Sequence, residues 1–560
     1  MCVCVCVSLK KNTNKRTIDY IEKLYQVELD KINNYMKCNG LELSKEKTHL
    51  MLFNNGMNPK CLPKLKLGDA DLEYKKETKF LGVYFTTKLN WKTHIEYLLN
   101  KTRKRLYFLK VISKQPWGQN TKTLIHLAVS LIRSKLIYGQ EVYFSAPNYL
   151  LKKLQSLDSK ALKIALGVPY HTNTLKCYRE SNNLSLDQQR ELAVAKYVVR
   201  SSSIKNSHTD EIRLDKCKDY PKNSSNISYL QPIKNYTDNI MQNCNVDIDT
   251  VKAHPIVPII PPWEHLKANI LTDYTSYTKK ENINIVASEA KIQLHEKFQN
   301  HIKIFTDGSV ATSGDSGFGF FIPCLDIKKS FYLGKGYSIF TSELCAILAA
   351  LNCILETKID MYQIVFCVDS LSVLQSLNNW DCKNRSDLIF DILFQINVLK
   401  LNGVNVEMIW IPSHVGIYGN EVADNLAKQG TILDNSVKKY HLSLSSREIC
   451  VLFNTFSKKD LHKSNIISST SSIPRSIMNI IMKLRLNSWA TKFSKNISCC
   501  CSMDTKITIE HMIFQCPYLN NLYKENDISI NKTNLKDILE SELIYEIAQV
   551  IRKSDLFKFL

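Results

Sequence analysis

Between residues 301 and 430 the hydropathy pattern leaves few folds open. Three strand-like runs come first, at 302–306, 317–322 (GFGFFI) and 328–337; then follow a helical run at 342–356, a very apolar strand at 363–368 (QIVFCV), further helical sequence, a strand at 405–411 (NVEMIWI) and a helix at 418–429. Alternating or continuous apolar runs of that length read as strands, and apolar spacings of three and four read as helix. Consecutive strands followed by alternation with helices imply a mixed sheet with helices packed on it, an α/β fold.

Acidic residues stand at the ends of these elements. Asp307 follows the first strand in KIFTDGSV, Glu343 opens the helix SELCAILAALNCIL, Asp369 terminates QIVFCVD, and Asp424 lies in GNEVADNLAKQG. Each has an ordinary structural reading. Asp307-Gly308 suits a turn, and Glu343 suits the first turn of a helix beside a Thr341 or Ser342 cap. Asp369 suits a strand-ending turn, and Asp424 a solvated helix face. Glu343, however, sits at the edge of the stripe made by Leu344, Ile347, Leu348, Leu351, Ile354 and Leu355. It therefore leans toward the sheet, where a carboxylate is costly unless it is paired or holds a metal.

Charge points to the partner. The 560-residue chain carries a formal +21, yet residues 301–430 hold nine Lys and Arg against thirteen Asp and Glu, a local −4 that leaves +25 elsewhere. A strongly basic chain attracts nucleic acid. Basic flanks around an acidic centre make sense when cations neutralise that centre.

In order, TDGS, TSELCAILAAL, CVDSLSVLQSL and WIPSHVGIYGNEVADNLAKQG resemble the type 1 ribonuclease H domain carried by non-LTR, jockey-like retrotransposons. The resemblance implies a ribonuclease H-like mixed five-stranded sheet with flanking helices over residues 300–431. It implies that Asp307, Glu343, Asp369 and Asp424 hold two Mg²⁺ or Mn²⁺ ions, with Asp307 bridging, Asp424 on the nucleophile side, and Glu343 with Asp369 on the leaving-group side. Hard oxygen donors suit those ions better than zinc. His414 would assist water positioning or product release. Ser309 and Asn420 are candidates for substrate contact, with turn chemistry as the other reading. The implied activity is metal-dependent hydrolysis of the RNA strand of RNA/DNA hybrids; the alternative is an idle, nucleic-acid-binding remnant.

Residues 1–170 resemble the end of a retroelement reverse transcriptase: CVCVCVSL and CNGLELSKEKTHLMLF the late palm, KFLGVYFTTKLNWKTHI the start of the thumb. No Tyr/Phe-x-Asp-Asp motif occurs in these 560 residues, so no DNA synthesis is expected. KFLGVYF (79–85) reads as one strand and 90–112 as a helix whose basic face (Lys101, Arg103, Lys104, Arg105, Lys110, with Tyr107 and Phe108) suits a phosphate backbone. Residues 171–299 read as connection and linker, Ser/Asn-rich and then Pro-rich over 200–262.

Residues 432–560 read as a mainly helical tail. Within it, SCCCSMDTKITIEHMIFQCP offers a structural Zn²⁺ site from Cys499, Cys501, His511 and Cys516, with Cys500 competing for one of the first two places. Similar zinc-knuckle-like segments end many such elements.

The 18 cysteines are mostly scattered, and the apolar start MCVCVCVSLKKN is short, with basic residues after it rather than before. An intracellular, non-secreted protein, nuclear or cytoplasmic, is expected. No run approaches the roughly 18 apolar residues of a membrane span, so no membrane partner is expected. No protein partner is read from the sequence.

Overall fold

The structure, a computed structural model, describes residues 4–9, 15–54, 62–114, 119–202, 238, 241–242, 267–271, 283–357, 363–379, 384–432, 440, 442–459, 461, 473–488, 499, 501, 507–530 and 534–554. Two units divide the chain, residues 1–194 with 457–560, and residues 195–456. The linker expected over 200–262 lies almost wholly outside the described residues.

In the first unit, strands β1 (Cys4–Leu9) and β2 (His49–Asn54) pair in parallel, and β2 pairs with the two-residue β3 (Glu73–Tyr74). The single strand expected at 79–85 is instead a hairpin, β4 (Glu77–Phe80) and β5 (Val83–Thr86). The break falls at Leu81, which is left-handed (φ 45°) and exposed, followed by Gly82 at φ 86°. An apolar Leu at a turn is invisible to hydropathy. Helices α1 (Lys92–Lys114) and α2 (Asn148–Leu166) then pack through Leu98, Leu99, Leu150, Leu154 and Leu157. Within α2, Asp158 is buried and accepts two bonds from the buried Arg133, at 3.0 and 2.6 Å, and one from Tyr178 at 2.7 Å. The same core takes in the C-terminal segment, including Ile477, Ile481, Met512 and Ile547.

The second unit is built on one mixed sheet. Its strands are β6 (Asn269–Leu271), β7 (Ile302–Val310), β8 (Asp315–Ile322), β9 (Ile327–Lys335), β10 (Gln363–Val368) and β11 (Asn405–Trp410), in the spatial order β9-β8-β7-β10-β11-β6. The five strands from β7 to β11 carry the expected mixed pattern: β7, β8 and β9 are antiparallel neighbours, while β10 lies parallel to β7 and β11. A sixth strand, β6, adds to the β11 edge and exceeds the five expected. At three residues it is too short to show a periodicity.

Helices α3 (Ile339–Thr357), α4 (Leu371–Asn378) and α5 (Ser386–Leu401) share a core with Ile302, Ile304, Phe318, Phe320, Ile364 and Phe366. A second core joins Phe305, Phe321, Val365 and Cys367 to Ala423 of helix α6 (Tyr418–Gly430). Helix α7 (Ser446–Lys458) follows. Contrary to the hydropathy reading, α3 is long and apolar enough to cross a membrane, and most of it is buried inside the fold. A helix lying on a sheet under other helices is apolar nearly all round.

Candidate active site

The site begins with a strand that does not stop where the sequence suggests. Asp307-Gly308-Ser309 lies inside β7 and pairs residue by residue with Gly319, Phe318 and Gly317 of β8, so Asp307-Gly308 is not a turn. Strand geometry aims successive side chains to opposite faces. Gly308 is the reason a helix can reach this point: a Cβ there would come within 2.5 Å of the Glu343 nitrogen and 2.7 Å of the Ser342 carbonyl carbon. Bare backbone at Gly308 therefore sets Glu343 beside Asp307. Gly319 makes the matching allowance on β8, where a Cβ would come within 2.6 Å of Leu426 Cβ, so that α6 lies close on the strands.

The parallel register of β10 with β7, Val368 opposite Thr306, makes Asp369 and Asp307 the next residues along each strand. Asp307, Glu343 and Asp369 then offer ligand atoms all within 4.8 Å of one another. Asp307 is 7% exposed and Glu343 5% exposed, and one Glu343 oxygen, Oε2, is buried with no hydrogen-bond partner.

Burial and mutual repulsion dominate the electrostatics. Burial, with Asp369 and Asp424 nearby, pushes Asp307 up to about 8. Glu343 is raised well above the usual carboxylate range by burial and by Asp307 and Asp369. Asp369 is raised by burial, opposed by a hydrogen bond from Asn420 and by His414. Carboxylates crowded in this way hold protons or cations. An all-oxygen donor set with one buried oxygen unsatisfied fits a hard divalent cation.

The remaining expected residues fall close by. Asp424, half-buried on α6, helps raise the Asp307 pKa by charge repulsion but stands outside the group of three, and its Oδ2 accepts from Lys428 at 2.6 Å. Asn420 is buried and donates to Asp369 Oδ2 at 3.1 Å, which orients that carboxylate. His414 is exposed at a left-handed φ of 56°, in the turn before α6. Ser309 is half-buried on β7, one residue beyond Gly308. Helix α3 starts earlier than expected, with Ser338 Oγ rather than Thr341 or Ser342 receiving the capping N–H, from Thr341 at 3.2 Å.

Sequence reasoning missed Arg385 and Glu448. Both are buried, 3.3 Å apart, and Glu448 also accepts from the first turn of α3. A local signal existed: Ser445-x-x-Glu448 is a capping box, with Ser445 N–H donating to Glu448 at 2.9 Å and Glu448 N–H donating to Ser445 Oγ at 3.3 Å.

In the first unit, Cys499, Cys501, His511 and Cys516 are all buried with ligand atoms within 4.8 Å of one another. Cys499 Sγ and Cys516 Sγ are 3.7 Å apart, and Cys501 Sγ and His511 Nε2 3.4 Å. Tetrahedral zinc would set such edges at about 3.8 and 3.5 Å, so the donor set fits that ion. Cys500 lies outside the described residues. Burial lowers the His511 pKa, which favours the neutral, ligating ring.

Along α1 the expected basic face is partly diverted, since Arg105 donates to the Leu131 carbonyl at 2.8 Å. Arg103 instead joins Lys152, Lys153 and Lys160 of α2 around a groove of about 380 Å³ that also exposes Tyr149. None of these four cations forms an ion pair among the described residues.

A mixed sheet with helices on both faces and acids gathered at adjacent strands defines an α/β domain of the ribonuclease H-like class. The RNase H family profile matches residues 299–432. Ribonuclease HI of Vibrio parahaemolyticus is 30% identical over 138 residues, covering 23% of this chain and 88% of that enzyme. The chain belongs to the ribonuclease H family through this segment. A retrovirus-related Pol polyprotein from the type-1 retrotransposable element R1 of Bradysia coprophila is 26% identical over 120 residues, 20% of this chain but only 12% of that polyprotein. The crystal structure of RNase H1 from Halobacterium salinarum aligns at 23% identity and a TM-score of 0.19, covering 23% of this chain and 96% of that one.

Proposed function

We propose that this protein is a metal-dependent endonuclease that cuts the RNA strand of RNA/DNA hybrids, leaving 5′-phosphate and 3′-hydroxyl ends, and that it derives from a retrotransposon of the jockey-like group. The observation that carries this is the convergence of Asp307, Glu343 and Asp369 on one point within the family-matched segment. With Asp424 they would hold two Mg²⁺ or Mn²⁺ ions, which when bound supply an activated water and a stabilised leaving 3′ oxygen.

The chain's own residues do the rest. Asn420 orients the Asp369 carboxylate. His414, exposed and close enough to Asp369 to act on its charge, would assist water positioning or product release. Ser309 and Asn420 would touch the substrate, whose 2′-hydroxyls would supply the preference for the RNA strand. In the first unit, the groove of Arg103, Lys152, Lys153 and Lys160 would take a phosphate backbone, with Tyr149 offering a stacking face. No polymerase role is assigned to residues 1–170, read as reverse-transcriptase palm end and thumb. Residues 171–299 are read as connection, 300–431 as the nuclease domain and 432–560 as a tail holding structural Zn²⁺.

A second reading keeps binding without turnover. The pairing of Asp424 with Lys428, outside the group of three, is the observation on its side. Labelled hybrid incubated with Mg²⁺ or Mn²⁺ separates the two: wild type cleaves and Asp369→Asn does not. Tight hybrid binding without cleavage by a metal-loaded wild type would favour the second.

A further inference from the structure

The acids at the site repel one another, and Glu343 Oε2 has no partner. Something must hold the first turn of α3 against that repulsion, and Gly308 supplies only close contact. The polar group that grips this turn lies outside the family-matched segment, on α7.

Glu448 is 4% exposed. Its Oε1 accepts from Ser338 N–H at 3.1 Å, from the Thr341 hydroxyl at 2.5 Å and from the Ser338 hydroxyl at 3.4 Å. Its Oε2 accepts from Arg385 at 3.3 Å and from the Ser445 N–H and hydroxyl at 2.9 and 2.8 Å. Arg385, 2% exposed, donates further to the Ser443 carbonyl at 3.0 Å and to Asp387 at 2.9 Å. A buried ion pair adds little net stability over apolar packing, yet removing one partner alone is strongly destabilising. Its contribution here is directional: it fixes the N–H and hydroxyl of Ser338 and the hydroxyl of Thr341, in the turn that delivers Glu343.

We propose that Glu448 and Arg385 are positioning residues for Glu343, so that the working nuclease domain extends past residue 432 to α7. This rests on the function proposed above. The pair acts through the backbone of α3, not on substrate or ion.

The test uses the full chain and Mn²⁺ as the probe, with binding at the acids taken as the part lost in Asp369→Asn. Thr341→Val removes one hydroxyl from Glu448 without stranding a buried charge, and Thr341→Ser restores it. Mn²⁺ affinity is expected to fall roughly three- to tenfold in Thr341→Val, the effect of about one hydrogen bond, and to return in Thr341→Ser. The double variant Arg385→Met/Glu448→Leu removes both charges of the pair, and with them the Arg385 bond to Asp387, and is expected to bind Mn²⁺ at least as weakly as Thr341→Val.

Unchanged Mn²⁺ affinity in both variants, whatever happens to the unfolding temperature, overturns the positioning role and leaves the nuclease reading standing. Wild type that binds no Mn²⁺ at the acids overturns that reading, and this inference with it.

Discussion

Gly308 and Glu343 touch backbone to backbone: a methyl group on Gly308 would stand 2.5 Å from the Glu343 nitrogen. Such a clash cannot be relieved by turning a side chain, so Gly308→Ala must push α3 off the sheet. Overpacking of this kind costs about 1–3 kcal/mol. Chemical denaturation is expected to show that loss, and hybrid cleavage to fall further than stability alone explains, because Glu343 moves away from Asp307. Wild-type cleavage in Gly308→Ala would show that the close approach is not what sets the site.

The groove between α1 and α2 makes a salt-dependence prediction. Replacing Lys152, Lys153 and Lys160 together by Ala should weaken hybrid binding and flatten its dependence on salt, by on the order of 0.9 in the logarithmic slope for each phosphate that is no longer neutralised. Fluorescence anisotropy titrations over a salt series measure both. An unchanged slope would place nucleic acid elsewhere on the protein.

His94 gives the first unit a pH signature. It is fully buried, its Nδ1 accepts from the Tyr84 N–H at 3.2 Å, and its Nε2 has no partner. Burial, with Lys79 adding to it, lowers its pKa from 6.5 to about 4. Between those values the unfolded chain takes up a proton that the folded chain refuses. Stability is therefore full above pH 6.5 and lost as pH falls toward 4, by on the order of 2–3 kcal/mol. Urea denaturation across this range should show a drop that is smaller in His94→Gln; equal drops would remove His94 as the cause.

The cysteine and histidine cluster predicts a metal requirement for folding. Purified protein should carry about one zinc ion per chain. Strong chelators should remove it and lower the unfolding temperature, because metal affinity at a structural site is folding free energy. Cys516→Ser should lose the metal and Cys500→Ser should keep it, since Cys499 and Cys501 are the residues gathered with His511 and Cys516. Zinc retained by Cys516→Ser would contradict that ligand set.

Much of the second unit was legible in advance because its burial follows the strand and helix periods: Ile364 to Val368 is a continuous buried run, and α3 hides Leu344, Ile347 and Leu351. Asp307 and Asp369 stood out because each follows an apolar run, and Glu343 because it edges an apolar stripe, whereas Asp424, mid-helix on α6, lies outside the group that the other three form. Long-range pairings were not. Asp307-Gly308 is turn-like in isolation and becomes strand only because Gly319 and Phe318 pair across from it. The hairpin at Leu81 hid behind an apolar residue. Glu448 showed its local cap to Ser445, while its grip on Ser338, 110 residues away, depends on the completed fold.

Everything proposed for the site rests on Asp307, Glu343 and Asp369 sharing divalent cations. Crystals soaked in Mn²⁺ and measured by anomalous diffraction at the manganese edge put this to the test without an assay of activity. Anomalous peaks are expected among these three carboxylates in the wild type and are expected to vanish in Asp369→Asn. Peaks elsewhere only, or three carboxylates standing too far apart to share an ion, would overturn the assignment.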